Sequence, residues 1–351
     1  MIILGIETSC DETAVSVVEA KGELSSLDFK VLGSAVHSQV DIHKEYGGVF
    51  PTLAKREHIK NMPLVLEQAL KQANFSANGE NPGIDMIAVT VGPGLEPALW
   101  VDIKFAEELG KKWGVAVIPA NHMEGHIVSV LFNKTEESKI EFPALALLIS
   151  GGHTELVFLK SWLEKEKIGE TQDDAVGEAF DKVARMLGLP YPGGPEISRL
   201  AEEARIKNIH SEKKLPRPML HSKDFNFSFS GLKTAVLYYL RELPNISQSQ
   251  KLAVAREFED AVIETLISKT KSAILKYLPE TLIIGGGVIA NKALRENFLK
   301  LKADYQDLKI LIPEKSLTTD NAVMIAAAGF IEYLKNKTHG ELRAKGNLDV
   351  C

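Results

Sequence analysis

Two short apolar runs ending in proline, Val115 to Pro119 (VAVIP) and Lys309 to Pro313 (KILIP), lie in opposite halves of the chain. Each is followed by side chains able to ligate a metal: His122 and His126 after the first, Asp320 after the second. The order of elements around each run also recurs, which points to two related lobes rather than one sheet wrapped by helices. In the first half, apolar runs at Ile2 to Glu7, Ala14 to Glu19 and Phe29 to Val36 read as a strand meander. Helical spacing follows over Lys55 to Ala73 (Ile59, Met62, Leu66, Leu70), then a buried strand Met86 to Val91, a helix from Pro97 to Lys112 and a strand from Val115 to Ile118. In the second half, a hairpin over Phe142 to Leu159, a strand Thr281 to Ile284, a helix Asn291 to Leu301 and a strand Leu308 to Ile312 repeat that order. The fold class is therefore α/β with mixed sheets, since in the first half three paired strands precede the helix–strand alternation.

A length of 351 residues with 45% hydrophobic content suits two cores. The expected division is lobe one over 1–131, with a helix at 320–337 packing back on it, lobe two over 132–319, and a polar tail at 338–351. Within lobe two, residues 160–278 read as a mainly helical insertion.

The net charge of −6 argues against binding polyanions over the whole surface, so any nucleic-acid contact is local. Two basic patches qualify: Lys55, Arg56, His58 and Lys60, and Arg205, Lys207, Lys213, Lys214 and Arg217. The second is favoured, because its prolines and spaced charges suit an irregular backbone. Only Cys10 and Cys351 are present, which excludes a disulfide framework and a CxxC metal knuckle and fits a reducing compartment. No apolar run approaches the roughly 18 residues of a membrane span, so a cytoplasmic location is expected.

Three strands end in turns whose backbone amides can face an anion: Glu7 to Ser9, Ser150 to Gly152, and Gly285 to Gly287. A missing Cβ lets a ligand approach the main chain, and a following helix adds its positive pole. His122 and His126 stand one helical turn apart, on one face. The register is wrong for a zinc protease, because Glu124 falls midway between the histidines instead of beside the first. With Asp320 as a third ligand, two imidazoles and a carboxylate leave positions open on iron or zinc.

At these residues the sequence resembles the tRNA N6-adenosine threonylcarbamoyltransferase family, in its bacterial form. The markers are Gly5 to Thr13 (GIETSCDET), His122 to His126 (HMEGH), Ser150 to Thr154 (SGGHT), Gly177 to Lys182 (GEAFDK), Tyr191 to Pro195 (YPGGP), Phe227 to Lys233 (FSFSGLK), Gly285 to Asn291 (GGGVIAN) and Thr319 to Ala322 (TDNA). The resemblance implies an actin-like, sugar-kinase-like fold and transfer of a threonylcarbamoyl group from threonylcarbamoyl-AMP to N6 of the adenosine 3′ of the tRNA anticodon. It implies metal ligation by His122, His126 and Asp320, with iron(II) the first candidate and zinc the second. Nucleotide contacts are implied at Leu148, Ile149, Ser150, Gly151, Gly152, Asp181, Gly194 and Asn291. Asp11 and Glu12 are the candidates for proton handling, and Phe227, Phe229 and Leu232 are read as core. Implied partners are tRNA, an inactive paralogue of TsaB type and a small ATPase of TsaE type. The chain departs from the family pattern at Asn121, where a histidine is common. It departs again at Glu96 to Asp102, where Trp100 and Asp102 replace a glycine-rich run that meets a partner. Two other functions fit the fold: a small-molecule kinase or ATPase, which has no use for the histidine pair, and a non-catalytic scaffold.

Overall fold

The computed structural model describes residues 1–76, 79–133, 139–243, 245–336 and 341–351. The chain forms two compact units, Met1–Lys139 with Pro313–Cys351, and Ile140–Ile312. The crossings at 139/140 and 312/313 stand a few residues from the 131/132 and 319/320 divisions expected from sequence.

In the first unit, β1 (Ile2–Glu7), β2 (Glu12–Lys21) and β3 (Asp28–Ser38) form the meander. A one-turn helix α1 (Val40–His43) leads to α2 (Pro51–Gln72), followed by β4 (Met86–Gly92), α3 (Glu96–Trp113), β5 (Ala116–Asn121) and α4 (His122–Val128). The sheet order is β3-β2-β1-β4-β5. β1 runs antiparallel to β2 with Ile2 opposite Glu19, and parallel to β4 with Ile3 opposite Met86. β1 and β4 lie inside the sheet and read as unbroken apolar runs, since both of their faces are covered. Leu4, Ile6, Ile87 and Val89 are fully buried beside Met62 and Leu70 of α2 and Ile103 of α3.

The second unit holds β6 (Ala144–Ile149), β7 (Thr154–Leu159), β8 (Lys165–Glu170), α5 (Val176–Met186), α6 (Gly193–Ile206), α7 (Ser230–Arg241), α8 (Gln248–Tyr277), β9 (Thr281–Gly285), α9 (Lys292–Asp304) and β10 (Lys309–Leu311). Its sheet order, β10-β9-β6-β7-β8, is the same topology, with β6, β7, β8, β9 and β10 standing for β1, β2, β3, β4 and β5. β8 corrects the sequence reading, which began a helical insertion at residue 160. Its sequence KEKIGE has no apolar alternation, and as an edge strand it pairs only with β7, so its charges stay wet. Phe227, Phe229 and Leu232 are fully buried in the core of this unit, among Phe180, Phe258 and Val236.

The final helix, α10 (Ala322–Asn336), belongs to the first unit and packs on β1, β2, β4, β5 and α4. The segment expected as a free tail also returns to this unit. Ala344 is buried in its core, and the Lys345 N–H donates to the Val91 carbonyl at 2.8 Å.

Candidate metal centre and a second cavity

In the first unit, the carboxyl ends of the parallel strands β1, β4 and β5 deliver Glu7, Thr90 and His122 to one place. Such strand ends are where α/β sheets gather ligands. Asn121 caps α4: its Oδ1 accepts the N–H groups of Met123 at 2.8 Å and Glu124 at 3.2 Å, while its Nδ2 donates to the Asp349 carbonyl. Asn121 thus fixes the start of the helix that presents both imidazoles. A Cβ at Gly125 would lie 3.0 Å from Cγ of Met324 and 3.2 Å from Cδ1 of Ile325. The glycine therefore lets α4 sit close against α10, which brings Asp320, just before α10, to the histidines.

The result is a compact triangle. Oδ1 of Asp320 lies 3.3 Å from Nε2 of His122 and 3.4 Å from Nε2 of His126. The three ligand atoms fall within 4.8 Å of one another. Both rings are buried, with centroids 4.7 Å apart and edge to face. His126 Nε2 is buried without a hydrogen-bond partner, and an orphaned imidazole nitrogen beside a carboxylate is what a metal ion would satisfy. These residues fit a cation.

Behind His122, Nδ1 lies 3.1 Å from Oε2 of Glu7 and 3.2 Å from Oγ of Ser9. Glu7 is itself held, accepting from the Thr90 hydroxyl and the Ser9 N–H, each at 2.5 Å. Burial pulls the His122 pKa down, but the Asp320 and Glu7 carboxylates outweigh it and hold the imidazole well above its ordinary value. At His126 burial prevails and the pKa is lowered, leaving a neutral ring with a free lone pair. Burial opposes ionisation of Asp320, yet His122 and His126 hold its carboxyl far below the usual range. Sequence reasoning missed Glu7 and Ser9 as braces of His122. The available signal was an acid closing an otherwise apolar strand.

Glu124, midway between the histidines, pairs with Lys335 of α10 at 3.1 Å. Asp11 and Glu12 stand at the turn between β1 and β2. Burial and the neighbouring charges of Asp11 and Asp320 push Glu12 up to about 9, although it accepts from the Ser38 hydroxyl at 3.2 Å. Burial raises Asp11 as well. Asp102, expected to alter a surface charge, instead faces inward with no exposure, and burial together with the Glu7 charge pushes its pKa well up.

The second unit has a cavity of about 530 Å³ whose walls include Gly151, Asp181, Tyr191, Gly194, Val288 and Asn291. A Cβ at Gly177 would meet the Ser150 carbonyl at 2.6 Å, so glycine is needed for α5 to start against the β6–β7 turn. Asp181 Oδ1 accepts the Gly193 N–H at 2.7 Å and so fixes the first turn of α6. Asn291 caps α9 through Leu294 N–H at 2.9 Å, and its Nδ2 donates to Glu259 at 2.6 Å. Four of the eight expected contact residues, Gly151, Asp181, Gly194 and Asn291, thus line one cavity. Leu148 and Ile149 are not loop residues; they end β6 with fully buried side chains. Ser150 and Gly152 sit in the turn beyond.

The favoured basic patch is largely neutralised. Arg205 pairs with Glu259 and Asp260, Lys207 with Glu203, Lys213 with Glu242, and Arg217 with Glu257 and Glu264; Lys214 stays exposed. Arg205 in fact steadies Asn291, since both hold Glu259. In the other patch, His58 is fully buried.

Two units of identical strand order, one with a two-histidine, one-carboxylate centre, define an α/β protein of the actin-like, sugar-kinase-like class. Solved structures share this fold. HypF from T. kodakarensis matches with a TM-score of 0.60 at 12% identity, over 95% of this chain and 48% of that one. Full-length HypF in its phosphate- and nucleotide-bound form matches at 0.55 and 11%, over 95% and 46%. A family model for tRNA N6-adenosine threonylcarbamoyltransferase matches residues 30–327. The proteins of that name from Thermosipho africanus and Bacillus subtilis are 45% and 44% identical to this chain. The first match covers all of both chains, the second 95% of this chain and 91% of the relative. The chain belongs to the tRNA N6-adenosine threonylcarbamoyltransferase family.

Proposed function

We propose that this chain transfers the threonylcarbamoyl group of threonylcarbamoyl-AMP to N6 of the adenosine 3′ of the tRNA anticodon, releasing AMP. The observation that carries this reading is the His122–Asp320–His126 triangle in a chain whose full-length relatives bear the transferase name. In the reaction, N6 attacks the carbonyl carbon of the mixed anhydride, a C–N bond forms, and the C–O bond to the phosphate breaks with its electrons leaving on AMP. The exocyclic amine is a weak nucleophile, so catalysis rests on positioning and on stabilising charge.

His122, His126 and Asp320 would hold a divalent ion, iron(II) first and zinc second, since two imidazoles with one carboxylate suit either. When bound, such an ion supplies Lewis-acid polarisation of substrate oxygens. Glu7 and Ser9 orient His122 through Nδ1. Asp181, Gly151, Gly194 and Asn291 bind the adenylate, with amides of the 150–152 turn toward its phosphate. Asp11 and Glu12 are crowded enough that Glu12 keeps a proton through the neutral range, and Asp11, as the ionised partner, takes up the proton that N6 releases.

Among the described residues no helix is long and apolar enough to cross a membrane, and the chain carries only two cysteines, Cys10 and Cys351, at its opposite ends. Both observations support action in a reducing cytoplasm. Exposed Ile59, Leu64 and Trp100 on α2 and α3 support a contact with an inactive paralogue, and a small ATPase completes the proposed set of partners. The test is nucleoside mass spectrometry after incubating the purified chain with threonylcarbamoyl-AMP and unmodified tRNA, with and without those partners. Modified adenosine is expected. Its absence from every combination sinks the reading.

A further inference from the structure

The loop between α1 and α2 carries Tyr46 and Phe50, whose rings stack with centroids 5.9 Å apart and planes 25° from parallel. They are 61% and 52% exposed, and no other stacked pair among the described residues leaves both rings open to solvent. A Cβ added at Gly48, between them in sequence, would meet nothing within 4 Å, so the loop is uncovered at that point as well.

This loop is firmly held. His43, fully buried at its base, accepts the Phe50 N–H on Nδ1 at 3.3 Å and therefore donates from Nε2 to Oε1 of Gln39 at 3.1 Å. Nδ1 of His58 lies 2.8 Å from the Thr13 hydroxyl and 3.2 Å from Nε2 of Gln39, and Nε2 of His58 donates to the Cys10 carbonyl at 3.0 Å. The Gln39 N–H adds a bond to the Asp11 carbonyl at 3.0 Å. One unbroken relay of buried groups thus fastens the aromatic pair to the acidic turn. Nδ1 of His58 accepts here only as a neutral imidazole, in keeping with the lowered pKa that burial gives that ring.

The electrostatics near the pair suit an anion. Lys55 and Arg56 are exposed, with no ion pair among the described residues, on the helix that begins directly after Phe50. That helix has no acid in its first turn, and Lys44 neutralises Asp41 at 2.6 Å. Segment 41–60 holds four Lys and Arg against three acids in a chain whose net charge is −6. Stacking faces beside unpaired cations are the means by which proteins hold unpaired bases without reading their sequence.

We propose that Tyr46 and Phe50 form a stacking platform for unpaired anticodon-loop bases next to the acceptor adenosine, with Lys55 and Arg56 taking adjoining phosphates. The proposal rests on the tRNA-modifying reading given above. The test is fluorescence anisotropy of a labelled anticodon stem-loop lacking the modification, over a salt series, with calorimetry of a stable adenylate analogue in parallel. Tyr46→Ala/Phe50→Ala should bind the stem-loop at least about ten-fold more weakly with an unchanged salt slope, whereas Tyr46→Trp/Phe50→Trp should retain affinity. Lys55→Gln/Arg56→Gln should flatten the slope, by about 0.7 for each phosphate no longer neutralised. Adenylate affinity and metal content should stay constant in all three. If the alanine pair binds the stem-loop like wild type, the platform is overturned and the rings are left to a protein contact. If wild type binds the adenylate but no stem-loop, the tRNA reading itself fails.

Discussion

Nδ1 of His122 and Oε2 of Glu7 face one another at 3.1 Å, so the imidazole that turns Nε2 toward Asp320 is braced from behind by a carboxylate. Because Thr90 and the Ser9 backbone hold Glu7 in turn, the ligand's orientation is set by two strand ends rather than by the ligand itself. Glu7→Gln keeps the shape and removes the charge. It should weaken metal affinity about 10- to 100-fold, measured by competition with a chelator, while circular dichroism stays unchanged. Wild-type affinity in this variant would show that the brace is dispensable.

The ligands themselves should matter more. His126→Ala or Asp320→Ala is expected to abolish stoichiometric metal in elemental analysis and to remove most transferase activity while the protein stays folded. Neither side chain contributes to the apolar core, so a variant that unfolds would mean the centre is structural.

Gly125 tests the approach of α4 to α10. In Gly125→Ala the new methyl meets the flexible Met324 side chain, so the cost should be small. Gly125→Val should destabilise by about 1–3 kcal/mol in urea denaturation and lower metal occupancy with it, because α10 must move away and carry Asp320 along.

Arg205 lies outside the walls of the second cavity but holds Glu259, which holds Asn291. Arg205→Ala should therefore weaken adenylate binding in calorimetry without changing the salt dependence of tRNA binding. Asp181→Ala should weaken adenylate binding too, through loss of the Gly193 N–H bond, and leave metal content intact. An effect of Arg205→Ala on the salt slope alone would return that residue to the role of a phosphate contact.

Glu12 gives a pH prediction with a definite sign. Its pKa rises from an ordinary 4.5 to about 9 on folding, so between those values the folded state binds more protons than the unfolded one, and stability falls as pH rises. The Glu12→Gln variant lacks this loss. Its melting temperature should gain on wild type progressively from about pH 5 to pH 9. A constant difference across that range would mean that Glu12 titrates normally.

The sequence by itself determined the elements whose signal is local. The apolar runs of β1, β4, β6 and β9 and the spacing of α2 and α3 appear where periodicity puts them, since buried strands and amphipathic helices are specified by neighbours in the chain. The histidine pair was legible for the same reason, because i and i+4 share a helix face. Asp320 was reachable only through the likeness of the two halves. Tertiary structure alone decided what depends on contacts between distant segments: that Glu7 backs His122, that Arg205 holds the Glu259 which holds Asn291, that Asp102 and His58 are buried. An acid or a base written in sequence has no exposure or partner until the chain folds. The edge strand β8 was hidden for a related reason, because its charges describe the solvent it faces while its pairing with β7 is made by backbone groups that every residue carries.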